Sequence, residues 1–369
     1  MKIGIDARMI HSTGIGVYIR FLLHELAALD RKNSYVVFTA PQGRTSVPVS
    51  PAIEVRTTGI PIYSLREQFI LPGRFSDAGC DLIHIPHYNV PTMLRGPLVV
   101  TIHDLIHKIF PQFMGGGLRN VYSSFLLNTT ARKARMILAD SEWTKRDIQM
   151  HLGVPPERIK VVSLAVSPHF RVLPAKETNT FRRAHGLDFP YLLSVGNSKP
   201  HKNLARLVRA FAAMKPGARG RTRLVLFGKA DPRYPEAKAE AALQGVRDSV
   251  IFLESYLSDR DLVLLYNGAI GFVFPSLYEG FGLPPLEAMA CGVPVLSSDG
   301  GSLPEVLGQA ALLVSPYQEQ DMARGIERLL GDRAVRTRLK VSGSKQVQKY
   351  SWKECARQTL RAYEEVHAS

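Results

Sequence analysis

The chain has little that would staple, clamp or anchor it. Three cysteines among 369 residues (Cys80, Cys291 and Cys355) stand far apart. None forms a C-x-x-C pair or a Cys/His spacing suited to zinc, so neither a disulfide framework nor a structural metal site is expected. The three read as reduced thiols, most of them packing residues. No apolar run approaches the ~18 residues of a spanning helix; LVVTI (98–102) is closed at once by His103 and Asp104. The opening MKIGIDAR carries Asp6 and Arg8 where an export signal would be apolar, so a cytoplasmic chain is expected. Basic tails, low-complexity arms and runs of five like charges are also missing.

What is present is an ordinary globular composition with a surplus of positive charge. Hydrophobic residues make up 45% and charged residues 21%, and 47 Lys and Arg against 32 Asp and Glu give +15. Such a surplus suits an anionic partner: nucleic acid, an acidic membrane face or phosphorylated metabolites. Spread along the chain rather than clustered, it fits solubility, membrane proximity or phosphate binding better than duplex DNA. Ile60, Ile62, Tyr63, Phe69 and Ile70 add an apolar element that fits loose docking on an anionic membrane.

Short β-branched or aromatic runs alternate with amphipathic stretches from end to end. Strands are expected at 2–6, 35–38, 81–85, 97–102, 136–140 and 159–163. In the second half they fall at 191–196, 223–228, 249–254, 271–276 and 293–298. Helical patterns such as 16–29 and 141–152 lie between them. Continuous apolar strands alternating with helices imply parallel sheets covered on both faces. Periodicity breaks at SPHFRVLPAKETNT (167–180). The expectation is an α/β chain of two doubly wound, Rossmann-like domains, 1–172 and 173–349, facing across a cleft. A C-terminal helix at 350–369 packs back on the first.

Ligands of such sheets bind beyond the carboxyl ends of the strands. After the first strand, DARMIHSTGIGVYIR places Gly14 and Gly16 at a helix start, which suits either backbone contact with an anion or a plain turn. The third glycine of a dinucleotide fingerprint is missing, Ile19 standing there, and YVVFTA ends without an acidic residue for a ribose, so NAD is disfavoured.

PSLYEGFGLPPLEAMACGVPVLSSDGGSLPEV (275–306) is the richest segment. Glu279 lies in a Gly-rich loop ahead of Pro284 and Pro285, which suit a first helical turn, and Glu287 falls inside that helix. The pair spans an extended ligand, with the N–H groups of Gly280, Phe281 and Gly282 facing the same space. Carboxylates accept hydrogen bonds from sugar or ribose hydroxyls, and the amides suit a diphosphate. In SVGNSKPHKNLARL (194–207), Lys199, His201 and Lys202 sit in a turn before a helix, fit either for phosphates or for solvent. His103 and Asp104 end a buried strand, and His103 reads as a functional group; His84, His87 and His107 read as structural or as acceptor contacts. Asp259 and Asp261 form a D-x-D after Ser258 that reads as a helix cap rather than a metal clamp.

EGFGLPPLEAMACGVPVLSSDGGSLPEV resembles the glutamate–seven–glutamate motif of retaining nucleotide-sugar glycosyltransferases of family four, with the GT-B architecture. GIDARMIHSTGIGVYIR, REQFILPGRFSDAGCDLIHIPHYNVP, VVTIHDLIHKIFP, ADSEWTKRDI and VGNSKPHKNL extend the resemblance nearly end to end, toward bacterial mannosyltransferases of polysaccharide assembly. The resemblance implies that Glu279 contacts donor-sugar hydroxyls and Glu287 the ribose, with Leu283 beside them. It implies Lys202, with Lys199 or His201, on the diphosphate, Gly14 and Gly16 closing over it, and His103 beside the anomeric carbon. The family's usual arginine before the lysine is replaced by His201. The donor would be a GDP- or UDP-sugar, best matched by GDP-mannose, and the acceptor a glycan or lipid-linked glycan; no metal or other cofactor and no nucleic acid is implied. A nucleotide-sugar epimerase of similar architecture, a nucleic-acid-binding protein and a silent sugar sensor are the alternatives.

Overall fold

A computed structural model describes residues 1–114, 117–254 and 257–368. The chain divides into two units, Met1–Leu164 with Ser351–Ser369, and Ala165–Tyr350.

The first unit is built on seven parallel strands: β1 (Lys2–Asp6), β2 (Ser34–Thr39), β3 (Ile53–Thr57), β4 (Leu82–Ile85), β5 (Leu98–Ile102), β6 (Met136–Ala139) and β7 (Ile159–Val161). Their order, β3-β2-β1-β4-β5-β6-β7, reverses direction between β1 and β4. The central strands are buried throughout, which is why they read as unbroken apolar runs. The helix Thr13–Leu29 buries Tyr18, Ile19, Leu22, Leu23 and Leu26, the stripe expected of a helix packed on a sheet. Ser141 caps the helix Glu142–Leu152 by accepting the Thr144 N–H at 3.1 Å, and Gly153 ends it in the left-handed region at φ +64°. The C-terminal helix Trp352–Ala368 belongs to this unit. Its Trp352 stacks on Phe21 with ring centroids 5.0 Å apart, and Tyr363 OH lies 2.6 Å from His84 Nδ1.

Six parallel strands form the second unit: β8 (Tyr191–Val195), β9 (Arg223–Phe227), β10 (Val250–Leu253), β11 (Gly271–Phe274), β12 (Val295–Ser298) and β13 (Ala311–Val314). The order β10-β9-β8-β11-β12-β13 reverses between β8 and β11. The ends of β8 and β9 come so close that a Cβ on Gly228 would lie 1.8 Å from the Gly196 carbonyl oxygen. Only glycine fits there.

Two strands were not expected from the sequence, and both lie at sheet edges: β3, where Glu54 and Arg56 interrupt the apolar pattern, and the four-residue β13. Ile60 also differs from expectation. It is 8% exposed and packs in the core of the first unit, so it is no part of an apolar surface.

Candidate active site

In the second unit, the reversal between β8 and β11 brings two loops together. Lys202, in the turn after β8, places its Nζ 2.6 Å from Glu279 Oε1, in the loop after β11. Ser276 Oγ lies 2.6 Å from the same oxygen, so Oε1 is committed to the protein. Oε2 carries no hydrogen bond among the described residues and remains as an acceptor. The His201 side chain is buried, and its carbonyl accepts the Leu277 N–H at 2.7 Å, tying the lysine turn to the glutamate loop. Lys199 stands at the mouth of that turn.

A second loop holds Glu279 from behind. The Ser302 N–H donates to the Glu279 carbonyl at 3.1 Å, and a Cβ on Gly301, whose φ is +60°, would lie 2.6 Å from that carbonyl oxygen. The helix Leu283–Ala290 begins immediately after Gly282, itself at φ +95°. Pro284 and Pro285 have no N–H, so this terminus offers fewer donors than most, and an anion there would rely on the loop amides at 280–283 and the helix dipole. The Phe281 ring turns inward, edge-on to Tyr350 at 5.2 Å, leaving the residue's backbone as its available contact.

Glu287 lies half-buried on the same helix and accepts a hydrogen bond from Tyr266 OH at 2.8 Å. Burial pushes its carboxyl up to about 7, against the opposing pull of that hydrogen bond. On the β8–β10 side, a cavity of about 310 Å³ is walled by Gly228, Tyr234, Phe252, Lys238 and Glu254. A planar, partly polar ligand fits such a lining. Asp259 and Asp261 do not reach a site: Ser258 Oγ accepts the Asp261 N–H at 3.1 Å and donates to its carboxylate at 2.7 Å, a helix cap.

In the first unit His103 immediately follows β5. Its Nδ1 lies 2.8 Å from Asp140 Oδ2 and its Nε2 3.3 Å from the Pro86 carbonyl oxygen. Both partners are acceptors, which calls for a proton on each nitrogen. Burial pulls the imidazole pKa down, but Asp140 outweighs it and the net shift is upward. Asp104 instead accepts the Ile106 N–H at 3.0 Å and shapes the following turn. Tyr18 packs edge-on to His103 at 5.1 Å and heads a buried chain, Tyr18 OH to Thr101 Oγ1 to His84 to Tyr363 OH. Burial pushes His84 down to about 3, so it is a neutral bridge within that chain. His107 packs against Tyr88 with ring centroids 5.6 Å apart.

Gly14 and Gly16 lie inside the first turns of the helix Thr13–Leu29. The Gly16 N–H is bonded to the Ser12 carbonyl, and a Cβ on it would lie 2.5 Å from the Ile10 oxygen, which is a packing requirement. Gly14 is exposed with open space beside it, so it is the glycine that a ligand can approach. Sequence reasoning missed Asp140, Ser276, Tyr266 and the cavity. Asp140 and Ser276 carried a usable signal, a polar residue one or two positions past a buried strand.

The model for glycosyl transferases group 1 matches residues 175–346, and that for glycosyltransferase family 4 matches residues 12–170. The O-antigen chain mannosyltransferase B of Escherichia coli is 32% identical over 283 residues, covering 76% of this chain and 74% of that protein. The serotype-specific mannosyltransferase WbdA of the same species is also 32% identical over 76% of this chain, but the chain spans only 34% of it. Among solved structures, Anabaena HepE in complex with UDP and glucose superposes with a TM-score of 0.79 at 19% identity, covering 99% of this chain and all of that one. Two parallel-sheet units, the paired loops beyond β8 and β11 and these matches lead to one conclusion: the chain belongs to glycosyltransferase family 4 and has the GT-B fold.

Proposed function

We propose that this chain is a retaining, metal-independent hexosyltransferase that moves mannose from GDP-mannose to a glycan or lipid-linked acceptor in polysaccharide assembly. The observation that carries the reading is the Lys202–Glu279 pair at the strand-order reversal, with Glu279 Oε2 still open to a sugar hydroxyl. The relatives' names support mannose and polysaccharide.

In this reading Glu287 accepts from the ribose and the aromatic-walled cavity takes the base. Lys199, Lys202 and the 280–283 amides stabilise the diphosphate as it leaves, a charge that needs preorganised donors more than chemistry from the protein. His103, held by Asp140, faces the sugar as a cation. Glu279 is neutralised by Lys202 and is thereby a poor nucleophile, which favours attack on the leaving-group face over double displacement. The C1–phosphate oxygen bond breaks as the C1–acceptor oxygen bond forms. The acceptor proton passes to the departing phosphate oxygen.

Association with an anionic membrane belongs to the same reading. Tyr63, Leu65, Phe69 and Ile70 are exposed beside Arg66 and Arg74, on or next to the helix Leu65–Asp77. No described helix is long and apolar enough to cross a membrane.

The test is to incubate the protein with GDP-mannose, EDTA and a panel of mannose oligosaccharides, free and lipid-linked, and to assign the product linkage by NMR. The expected result is a product with the anomeric configuration of the donor, formed only with acceptor. Donor turned over equally well without acceptor, giving an epimerised sugar, would overturn the reading.

A further inference from the structure

We propose that Asn203 is a positioning residue for donor binding, whose buried side chain holds the Lys202 turn in register with the Glu279 loop; this rests on the transferase reading above. Asn203 directly follows Lys202, between the turn Pro200–Lys202 and the helix Leu204–Ala212 of the second unit. Its amide nitrogen donates to the Pro275 carbonyl at 3.0 Å and to the Pro316 carbonyl at 2.8 Å. Pro275 immediately follows β11 and precedes Ser276, which grips Glu279, whereas Pro316 lies just past β13, three strands from β8 in the sheet. One side chain thus ties the loops beyond β8, β11 and β13 together.

The other links between the lysine turn and the glutamate loop are not enough to fix an angle. The Leu277 N–H at 2.7 Å and Ser276 Oγ at 3.1 Å both donate to the same atom, the His201 carbonyl oxygen. A turn held at one atom pivots about it, and Lys202 Nζ, at the end of a long side chain, swings furthest. The two Asn203 bonds add two further points. Their direction is fixed as well, because Arg206 Nη1 donates to Asn203 Oδ1 at 2.8 Å and to the Pro316 carbonyl at 3.3 Å. Two carbonyls on one side and a guanidinium on the other allow the amide only one orientation. Such a closed polar network is rigid because each member is satisfied by the next.

The backbone at this position makes the role separable. Asn203 holds φ +59° and ψ +28°, a left-handed conformation that asparagine and glycine adopt more readily than other residues. Its N–H closes the turn on the Pro200 carbonyl at 3.0 Å, and its carbonyl accepts the Leu207 N–H at 3.1 Å to start the helix. Glycine could do all of that. The bonds to Pro275, Pro316 and Arg206 are what the side chain adds.

Affinity for GDP and for guanosine would be measured by calorimetry, and kcat with GDP-mannose and a mannose oligosaccharide, for the parent, Asn203→Gly, Lys202→Ala and the double variant. Asn203→Gly should weaken GDP binding and lower kcat, each about 10-fold, because a small displacement of a positioned group is costly. Guanosine has no phosphate and should bind as before, whereas a general loosening of the unit would weaken both ligands. On the Lys202→Ala background the same substitution should cost less than about 2-fold more, since residues acting through one another are not additive. If Asn203→Gly fails to fold, Arg206→Ala, which frees the amide oxygen, should show the same pattern at about 3-fold. Unchanged GDP affinity and kcat, a parallel loss of guanosine binding, or effects that multiply in full in the double variant would overturn the proposal and leave Asn203 a structural link. Lys202→Ala without effect on GDP would instead sink the donor reading, and the proposal with it.

Discussion

In the second unit the candidate groups come largely from one stretch, 275–302, with Lys202 added from a neighbouring turn. The first unit gathers them from across its length: Arg8 meets Glu67, His103 meets Asp140, and His84 meets Tyr363, 279 residues away. The second unit shapes its site with glycine and close backbone contact, whereas the first locks side chains into buried hydrogen-bonded networks. The first site should therefore be sensitive to changes far away in sequence. The second should tolerate them and fail at single positions of its loop.

The largest effect expected is on catalysis in the second unit. Glu279→Gln should cut turnover at least ~100-fold, since the contact strengthens as the sugar develops charge, while the thermal midpoint barely moves. An unchanged kcat would remove Glu279 from the chemistry.

Next comes stability in the first unit. Arg8→Ala leaves Asp6 and Glu67 buried without their cation, and breaking such a cluster costs about 3–5 kcal/mol. Urea titration should show a lower midpoint with the slope preserved; a loss under ~1 kcal/mol would mean that the network relaxes or hydrates.

Asp140→Asn sharpens the contrast, because it changes charge and leaves shape. His103 is raised in the folded protein by Asp140, so its cationic form, and the stability of the pair, is complete below the imidazole's ordinary 6.5 and lost as pH rises through the folded value. The variant should lower kcat about 10-fold and move the basic limb of the pH–rate profile to lower pH. A uniform loss with the limb in place would show Asp140 to be structural only.

The smallest effect is the most diagnostic in sign. Glu287 has a carboxyl raised to about 7 from 4.5, so the folded state holds its proton more readily than the unfolded chain, and the stability this contributes is full below about 4.5 and lost as pH rises through about 7. Glu287→Gln should be at least as heat-stable as the parent at pH 8, with the difference vanishing near pH 4.5, yet bind nucleotide more weakly. A variant less stable at pH 8 would contradict the burial argument.

How much of this was legible follows the same division. Strands buried on both faces announce themselves as apolar runs, and the glutamate loop announces itself because its glycines, prolines and carboxylates are neighbours in sequence. β3 stayed hidden because an edge strand wets half its length, and Ile60 misled because an apolar residue in a polar loop reads the same whether it faces solvent or core. No spacing rule joins His103 to Asp140 or Asn89 to Glu67; the sheet order brings the first pair together at neighbouring strand ends, and the helix Leu65–Asp77 carries Glu67 to Asn89. Gly14 and Gly16 look alike in sequence and differ in the fold, one open and one pressed on a carbonyl.

The most direct test of the central claim is thermal unfolding with GDP, UDP, ADP, NAD and a DNA duplex, each at saturating concentration in EDTA. A ligand at ~100 times its Kd stabilises by ~2.7 kcal/mol, a shift of several degrees. GDP should raise the midpoint, Glu287→Gln should abolish most of that rise, and NAD and DNA should leave it unchanged. A midpoint indifferent to every nucleotide but raised by DNA would contradict the transferase reading.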